Sequence, residues 1–153
     1  MMDNKKGLVV VAIENGTVID QIPPDKLFKV VSILNLDLLD SQITVGNNLK
    51  SNKIGEKGII KITDKFFDPS VINKIALIAP NAKLNIIKDF QVIEKRNIDL
   101  PDDIHNIIRC ANPKCITNNQ PVATLFHVVD KIDIKVKCNY CEHSILQEDI
   151  EMK

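Results

Sequence analysis

Cys110-Ala111-Asn112-Pro113-Lys114-Cys115 and Cys138-Asn139-Tyr140-Cys141 contain all four cysteines of this 153-residue chain, and 22 residues separate the two pairs. Two cysteines spaced two to four residues apart form a tight knuckle that directs both sulfurs at one ion, and two such knuckles complete a tetrahedron. Four thiolates leave no coordination position for water. The spacing therefore predicts one structural Zn²⁺ per chain, held by Cys110, Cys115, Cys138 and Cys141.

Two other interpretations of the cysteines remain open at this point. Disulfides are disfavoured, because the start of the chain does not resemble a secretory signal and a reducing cytosol rarely preserves them. Iron in a rubredoxin-like site fits the same tetrahedral thiolate geometry, so spacing alone does not separate it from zinc. A metal assay distinguishes these cases.

The chain is expected to form two domains. The segment from Asp99 to Lys153 has few aromatic and apolar residues, so it needs a metal to offset the entropy of ordering it. We therefore assign residues 1–98 to one domain and residues 99–153 to a metal-stabilised one.

The overall composition indicates a cytoplasmic protein that spans no membrane. Of its residues, 44% are apolar and 26% are charged, and the net charge is zero. Neutrality provides no general attraction to nucleic acid or to anionic lipid. No apolar run is long enough to cross a bilayer.

Alternating and helical patterns in residues 8–95 predict an α+β fold. A β-branched run from Leu8 to Ile13, followed by Asn15-Gly16, predicts a hairpin whose return strand is Val18–Ile22. Helical spacing then follows from Asp25 to Leu34 and from Asp68 to Ala79. The remaining predicted strands cover residues 42–46, 57–62, 83–88 and 90–95, with a polar loop from 47 to 55. The simplest architecture is an antiparallel sheet with two helices on one face, a ferredoxin-like α/β sandwich.

The remaining third is predicted as a small all-β zinc ribbon. Residues 96–101 are assigned to a linker, and Ile104, Ile107 and Ile108 suggest a short helix that delivers Cys110. Strands are expected at 122–129 and 132–137. The tail from Glu142 onward is acidic and amphipathic.

The motif content argues against an enzyme. The five glycines are scattered and form no phosphate-binding loop, and His105, His127 and His143 lack a paired acid or nucleophile at a recognisable spacing. A zinc ribbon that binds nucleic acid is the alternative function. From Arg109 to Cys141 there are five basic and two acidic residues, and zinc with four thiolates adds a charge of −2, which leaves about +1 for phosphate binding.

Several segments together resemble the regulatory chain family of aspartate carbamoyltransferase. They are Gly16-Thr17-Val18-Ile19-Asp20 followed by Ile22-Pro23, Ile43-Thr44-Val45-Gly46, Lys61 in its apolar strand, Ala79-Pro80-Asn81-Ala82, and the C-x4-C and C-x2-C pairs. The resemblance implies a non-catalytic subunit of pyrimidine biosynthesis, with an N-terminal allosteric nucleotide-binding domain and a C-terminal zinc domain that contacts the catalytic chain. It further implies regulatory homodimers within a dodecamer, inhibition by CTP, activation by ATP, and UTP acting with CTP.

The resemblance also assigns residues to the nucleotide. The base is assigned to Val10, Ala12, Ile13 and Val18, the ribose and base end to Asp20, the inner strands to Lys61, Asn85 and Ile87, and the phosphates to Lys95. Gln21 stands where the family commonly has a histidine beside the triphosphate. It can hydrogen-bond but adds no positive charge.

The first knuckle and its surroundings are assigned to the catalytic chain. The assigned contacts are Asn112, Lys114 and Glu142. Lys114 replaces a second asparagine of the family pattern, which would change a neutral hydrogen bond into a charge pair with an acid on the partner.

Overall fold

The computed structural model describes residues 12–153. The chain divides into two compact units, one of residues up to Asp99 and one of Leu100–Lys153. No helix among the described residues is long and apolar enough to cross a membrane.

Between residues 12 and 99, the first unit contains five strands and two α-helices. The strands are β1 (Gly16–Ile22), β2 (Ile43–Ser51), β3 (Gly55–Thr63), β4 (Lys83–Lys88) and β5 (Gln91–Asn97), and the helices are α1 (Leu27–Ile33) and α2 (Pro69–Ile78). The predicted helices are found where the apolar spacing placed them. Asp68 caps α2 by accepting a hydrogen bond from the Val71 amide.

The sheet has the order β2-β3-β1-β4-β5, and all its pairings are antiparallel. Its first four strands, with α1 after β1 and α2 after β3, form a split β-α-β arrangement of the ferredoxin-like kind. The predicted α+β class is thus confirmed.

An apolar core covers one face of the sheet. Ile19 lies opposite Ile60 on β3 and Leu84 on β4, and all three side chains are buried. Gly58 lies on the same face, where an added Cβ would come within 2.8 Å of Leu27 on α1. The helix therefore packs directly on the strand at this point, as the apolar stripes predicted.

The prediction that β1 is the return strand of a hairpin at Asn15-Gly16 is wrong. Both edges of β1 are occupied, by β3 on one side and β4 on the other. The stretch Leu8–Val11 lies outside the described residues, and Ala12 and Ile13 are not in a strand. Pairing partners at least 36 positions away therefore override the local turn signal, since a strand has only two edges.

Two other boundaries differ from prediction. Most of the predicted polar loop at 47–55 belongs to β2 and β3, which continue to a tight turn at 52–54. The predicted linker begins too early, because β5 runs to Asn97. Ile98 is fully buried, with its amide and carbonyl bonded to the backbone of Ala82 and Asn81.

The second unit consists of short strands and one helical turn. They are β6 (Asp103–His105), β7 (Ile108–Arg109), α3 (Ile116–Asn119), β8 (Leu125–Asp130), β9 (Lys135–Cys138), β10 (Ser144–Leu146) and β11 (Glu151–Met152). A four-stranded sheet has the order β10-β9-β8-β6, and β11 pairs with β7.

The predicted helix before Cys110 is wrong. Ile104 is buried on β6 and Ile108 on β7, and Asn106 between them has a φ of 55°. That left-handed residue turns the chain, so isoleucines at helical spacing reach the core from two separate strands. The strand expected from Ile132 begins only at Lys135, after a turn.

Candidate metal centre and ligand-binding cavity

The two knuckles bring the four cysteine sulfurs together. Cys110 follows β7, and Cys115 precedes α3. Cys138 ends β9, where the Glu142 amide donates to its carbonyl and closes the second knuckle. The four Sγ atoms all lie within 4.8 Å of one another.

The distances between sulfurs fit a metal and not a disulfide. Cys110 Sγ lies 3.6 Å from Cys141 Sγ, and Cys115 Sγ lies 3.8 Å from Cys138 Sγ. A disulfide requires about 2.05 Å. A tetrahedral ion with Zn–S bonds of about 2.3 Å separates its sulfurs by roughly 3.8 Å. The donor set therefore suits a closed tetrathiolate site for a structural metal.

Burial makes this cluster unfavourable without a cation. It raises the pKa of Cys110 to about 12, and it also raises the pKa of Cys138. Burial acts in the same direction on Cys115, but hydrogen bonds from the Thr117 hydroxyl, 3.2 Å from its sulfur, from the Thr117 backbone amide and from Cys138 and Cys110 together lower the pKa of that thiol to about 7. A metal ion supplies the positive charge that holds all four sulfurs as thiolates.

Two asparagines of α3 hold the first knuckle. The side-chain amide of Asn118 donates to the backbone carbonyls of Cys110, at 2.9 Å, and Asn112, at 2.8 Å. The side-chain amide of Asn119 donates to the backbone carbonyls of Pro113 and Cys115. The sequence analysis missed both residues. The only available signal was a pair of adjacent asparagines that begins three residues after Cys115.

In the first unit, the strand register aligns predicted nucleotide residues on the face opposite the Ile19 core. Val18 lies directly opposite Lys61 and Asn85, and Asn85 lies opposite Lys95. Residues directly opposite one another project on the same side of a sheet. We call Lys61, Val18, Asn85 and Lys95 the central row, which crosses four neighbouring strands.

A buried apolar cluster adjoins the central row. It consists of Ile13, Val18, Ile59 and Ile87, with Leu49 packed beside it. Two of these five residues, Ile13 and Val18, were assigned to the base of a nucleotide, and Ile87 was assigned to the inner strands. An aromatic base would find apolar contact here.

A cavity of about 400 Å³ opens on the same unit. Its walls are Asp20, Gln21, Lys53, Lys83, Asn85, Lys95, Arg96 and Asn97. Four of these residues, Asp20, Gln21, Asn85 and Lys95, were predicted as nucleotide contacts. Lys53, Lys83, Arg96 and Asn97 were missed, because a polar residue on an exposed strand or turn has no distinguishing pattern in a single sequence.

Other predicted contacts lie outside this lining. Lys61 is in the central row, Ile13 and Ile87 are in the apolar cluster, and Ala12 is exposed. Val10 lies outside the described residues.

Burial and two neighbouring charged residues determine the electrostatic environment of Lys61. Burial lowers the pKa of Lys61, the nearby Asp20 carboxylate acts against this, and Lys57 adds to it. Asp20 itself forms an ion pair with Lys57 at 2.9 Å. A phosphate beside Lys61 would favour the charged amine.

Gln21 occupies a bulge at the end of β1. Its φ is 58°, and its side-chain oxygen accepts a hydrogen bond of 2.7 Å from the Ser51 hydroxyl. The same hydroxyl accepts from the amides of Lys53 and Ile54. Gln21 is therefore linked to the turn between β2 and β3.

The residues predicted to contact a partner lie at the two knuckles. Asn112 accepts a hydrogen bond from the Lys114 amide, so it also shapes the first knuckle. Lys114 and Glu142 are exposed, and Glu142 Oε1 lies 3.8 Å from Lys137 Nζ. The structure brings these residues close to the cysteines without testing the partner assignment.

Comparison with protein families gives two consecutive matches. A model described as aspartate carbamoyltransferase regulatory chain, allosteric domain, matches residues 8–99. A model described as aspartate carbamoyltransferase regulatory chain, metal binding domain, matches residues 102–151. Together these models account for nearly the whole chain and do not favour the nucleic-acid-binding alternative.

Similar proteins carry the same description over their full length. The chain is 56% identical to the aspartate carbamoyltransferase regulatory chain of Bacteroides fragilis over 150 residues, which cover 98% of each chain. It is 55% identical to that of Parabacteroides distasonis, over 99% of this chain and 98% of the relative. It is 50% identical to the regulatory chain of Thermococcus sibiricus, over 97% of this chain and 97% of the relative.

Proposed function

Because the chain belongs to the family of aspartate carbamoyltransferase regulatory chains, we propose that its first unit binds the effectors CTP, ATP and UTP, and that its second unit docks on the catalytic chain. Its own role is regulatory and not catalytic, in keeping with relatives that are described as regulatory chains. The predicted functional boundary, with nucleotide binding in 1–98 and zinc binding in 99–153, is part of this proposal.

The observation that carries the effector proposal is the central row beside the apolar cluster. A nucleoside triphosphate has an apolar, stackable base at one end and a polyanion at the other. Ile13, Val18 and Ile87 offer apolar surface to the base. Lys61 and Lys95 lie on either side of Val18 and Asn85, where two cations would meet the phosphates. We assign Asp20 to the ribose and base end and Gln21 to the triphosphate.

We assign Zn²⁺ to the four cysteines in preference to iron. The role of the ion is structural, because four thiolates fill its coordination sphere. Visible absorption of the purified chain distinguishes the two metals, since iron tetrathiolate sites are coloured and zinc sites are not. Reduced, metal-binding thiols also fit the cytoplasmic location that we propose.

The partner of the second unit is a transcarbamoylase catalytic chain. Asn112, Lys114 and Glu142 are the proposed contacts, since the knuckles present them at the surface. Regulatory homodimers would then bridge catalytic trimers in a dodecamer. Effectors change the activity of such an assembly only if they bind its alternative arrangements with different affinities.

Titration calorimetry of the full-length, zinc-loaded chain tests the effector site. We expect CTP and ATP to bind, and Lys61→Ala and Lys95→Ala each to weaken binding about tenfold by removing a charged phosphate contact. Lys29→Ala is the matched control, because Lys29 is exposed on α1, away from the central row. Unchanged affinity in both test variants would refute the assignment.

Reconstitution tests the partner. The chain should co-elute with a catalytic chain of its family, and the assembled enzyme should respond to the nucleotides. A chain that binds CTP yet never joins a catalytic chain would contradict the docking role alone.

A further inference from the structure

The four cysteines differ in their exposure to solvent. Cys110, Cys115 and Cys138 are buried, whereas Cys141 is partly exposed. Oxidation of a cysteine begins when a thiolate that the oxidant can reach attacks it, so exposure decides which sulfur reacts first. Cys141 is therefore the point at which a dissolved oxidant meets the cluster.

The sulfur of Cys110 lies within reach of Cys141. The two Sγ atoms are 3.6 Å apart, and they belong to different knuckles. A disulfide needs about 2.05 Å between its sulfurs, so a modest side-chain movement is enough to form one. A redox-sensitive cysteine commonly has such a second cysteine beside it, which attacks its oxidised sulfur.

The other pair of sulfurs is better protected. Cys115 Sγ and Cys138 Sγ are 3.8 Å apart, and both residues are buried. The sulfur of Cys115 also lies 3.2 Å from the Thr117 hydroxyl, which donates a hydrogen bond to the thiolate. A hydrogen bond that stabilises a thiolate lowers its nucleophilicity. Burial and this hydroxyl therefore both direct oxidation away from Cys115.

We infer that Cys141 and Cys110 form a peroxide-sensitive pair, whose disulfide joins the two knuckles and ends metal binding by the second unit. The inference rests on the Zn²⁺ site proposed above and adds a modification to it. The Cys141 thiolate attacks the O–O bond of the peroxide, expels hydroxide and becomes a sulfenic acid. The Cys110 thiolate then attacks that sulfur and expels a second hydroxide. The two sulfurs together lose two electrons, the peroxide gains them, and two protons convert the hydroxides into water.

Loss of the metal follows from loss of two ligands. The sulfurs of a disulfide no longer carry the charge that holds Zn²⁺, and only Cys115 and Cys138 remain as thiolates. The second unit depends on the ion for its fold, so its proposed docking on the catalytic chain ends as well. Oxidation would thereby release the catalytic chain from control by the first unit. A transient, redox-sensing disulfide is compatible with a reducing cytosol.

Hydrogen peroxide added to the full-length, zinc-loaded chain tests the inference. A chromogenic chelator measures the released Zn²⁺, and peptide mass mapping after alkylation of free thiols identifies the disulfide. Zinc release should parallel disulfide formation, and the bond should join Cys110 to Cys141. Dithiothreitol followed by Zn²⁺ should restore the metal content, because a disulfide is reversible whereas a sulfinic acid is not. The chelator alone, without peroxide, is the control for spontaneous release.

Thr117→Val tests the choice of pair without removing a metal ligand. Loss of the hydroxyl should make a disulfide between Cys115 and Cys138 appear beside the first one and should speed zinc release roughly twofold, because the Cys115 thiolate becomes more nucleophilic. Thr124→Val is the matched control, since the buried Thr124 hydroxyl has no hydrogen-bond partner among the described residues. It should leave the pairing and the rate unchanged.

Metal content measured before oxidation separates the inference from the assignment of Zn²⁺. A chain purified without Zn²⁺ refutes the assignment and the inference together. A zinc-loaded chain that keeps its metal in peroxide overturns the inference while the assignment stands. A first disulfide between any other pair of cysteines in the wild-type chain overturns it as well.

Discussion

The unit that ends at Asp99 and the unit from Leu100 to Lys153 obtain their stability from different sources. In the first, a five-stranded sheet buries one face under two helices, and Ile19, Ile60 and Leu84 meet in a row across three strands. In the second, three of the eleven buried apolar residues are the cysteines Cys110, Cys115 and Cys138. A large part of that small core is thus a cluster of sulfurs.

The two units therefore differ in whether their stability depends on a bound metal. Apolar burial contributes about 25 cal/mol per Å² and needs no ligand. A tetrathiolate site contributes only while the metal is bound, and its ligands repel one another when ionised without it. The first unit should therefore be stable under conditions that abolish the second, and each of the following measurements tests that contrast.

Metal removal should have the largest effect. Cys138→Ser, or a chelator, should unfold residues 100–153, because structural zinc contributes on the order of 10 kcal/mol in small zinc domains. In hydrogen exchange, the amides of β8 and β9 should lose protection while those of β1 and β3 keep theirs. Loss of protection in β1 at the same chelator concentration would contradict the contrast.

A core truncation should have the converse effect. Ile60→Ala should lower the free energy of unfolding of the first unit by about 2–5 kcal/mol, since the side chain is fully buried in the middle of the sheet. Urea denaturation measures the loss, and bound zinc should stay at the wild-type level. Ile54→Ala is the control, because Ile54 is 47% exposed at the turn after β2 and should cost little.

Loss of the Asn118 amide should have an intermediate effect on the second unit. Asn118→Ala removes the side-chain donor to the Cys110 carbonyl and leaves the Asn112 carbonyl with only the Cys115 backbone amide, which should cost about 1–2 kcal/mol and weaken zinc binding about tenfold. Competition with a chromogenic chelator measures the affinity. The exposed Gln120 provides the control, and Gln120→Ala should bind zinc as the wild type does; equal affinity in Asn118→Ala would assign the knuckle geometry to the metal alone.

Lys61→Met should have the smallest effect on stability, and it should be favourable. Burial lowers the pKa of Lys61 in the folded chain below its ordinary value of 10.5, so the unfolded chain binds the proton more tightly. The charged lysine therefore costs stability at neutral pH, and the cost disappears as pH rises from the lowered folded pKa to 10.5. After solvent screening, the variant should gain only a few tenths of a kcal/mol at pH 7.

The pH dependence checks the sign of this effect. The gain in Lys61→Met, measured by urea denaturation, should diminish as the pH approaches 10.5. A variant that is less stable than the wild type at pH 7 would show that Lys61 supports the fold. Lys61, which we propose as a ligand contact, would then not lower the stability of the first unit.

The two units also differ in how well sequence predicted them. The four-cysteine cluster followed from spacing alone, since a knuckle is formed by neighbouring residues. The helices α1 and α2 were predicted from apolar stripes, and the residues of those stripes are buried in the fold. Local patterns failed where a distant segment decides the structure, as at Asn15-Gly16, where β3 and β4 occupy both edges of β1.

The face that we propose for ligand binding was predictable only in part. Lys61 and Lys95 came from the resemblance to a family, and the register then placed them in one row. Lys53 and Lys83 are in polar stretches where a lysine usually faces water. Only the order of the strands shows that these two residues line the same cavity.

The central row draws one side chain each from β3, β1, β4 and β5, which are consecutive in the sheet but spread over 78 positions of the chain from Val18 to Lys95. No fragment shorter than that span contains the complete set, and none of its members is a sequence neighbour of another. A ligand that binds across the row therefore requires these four strands to be paired. During refolding, its binding should begin only when the last of the four has joined the sheet.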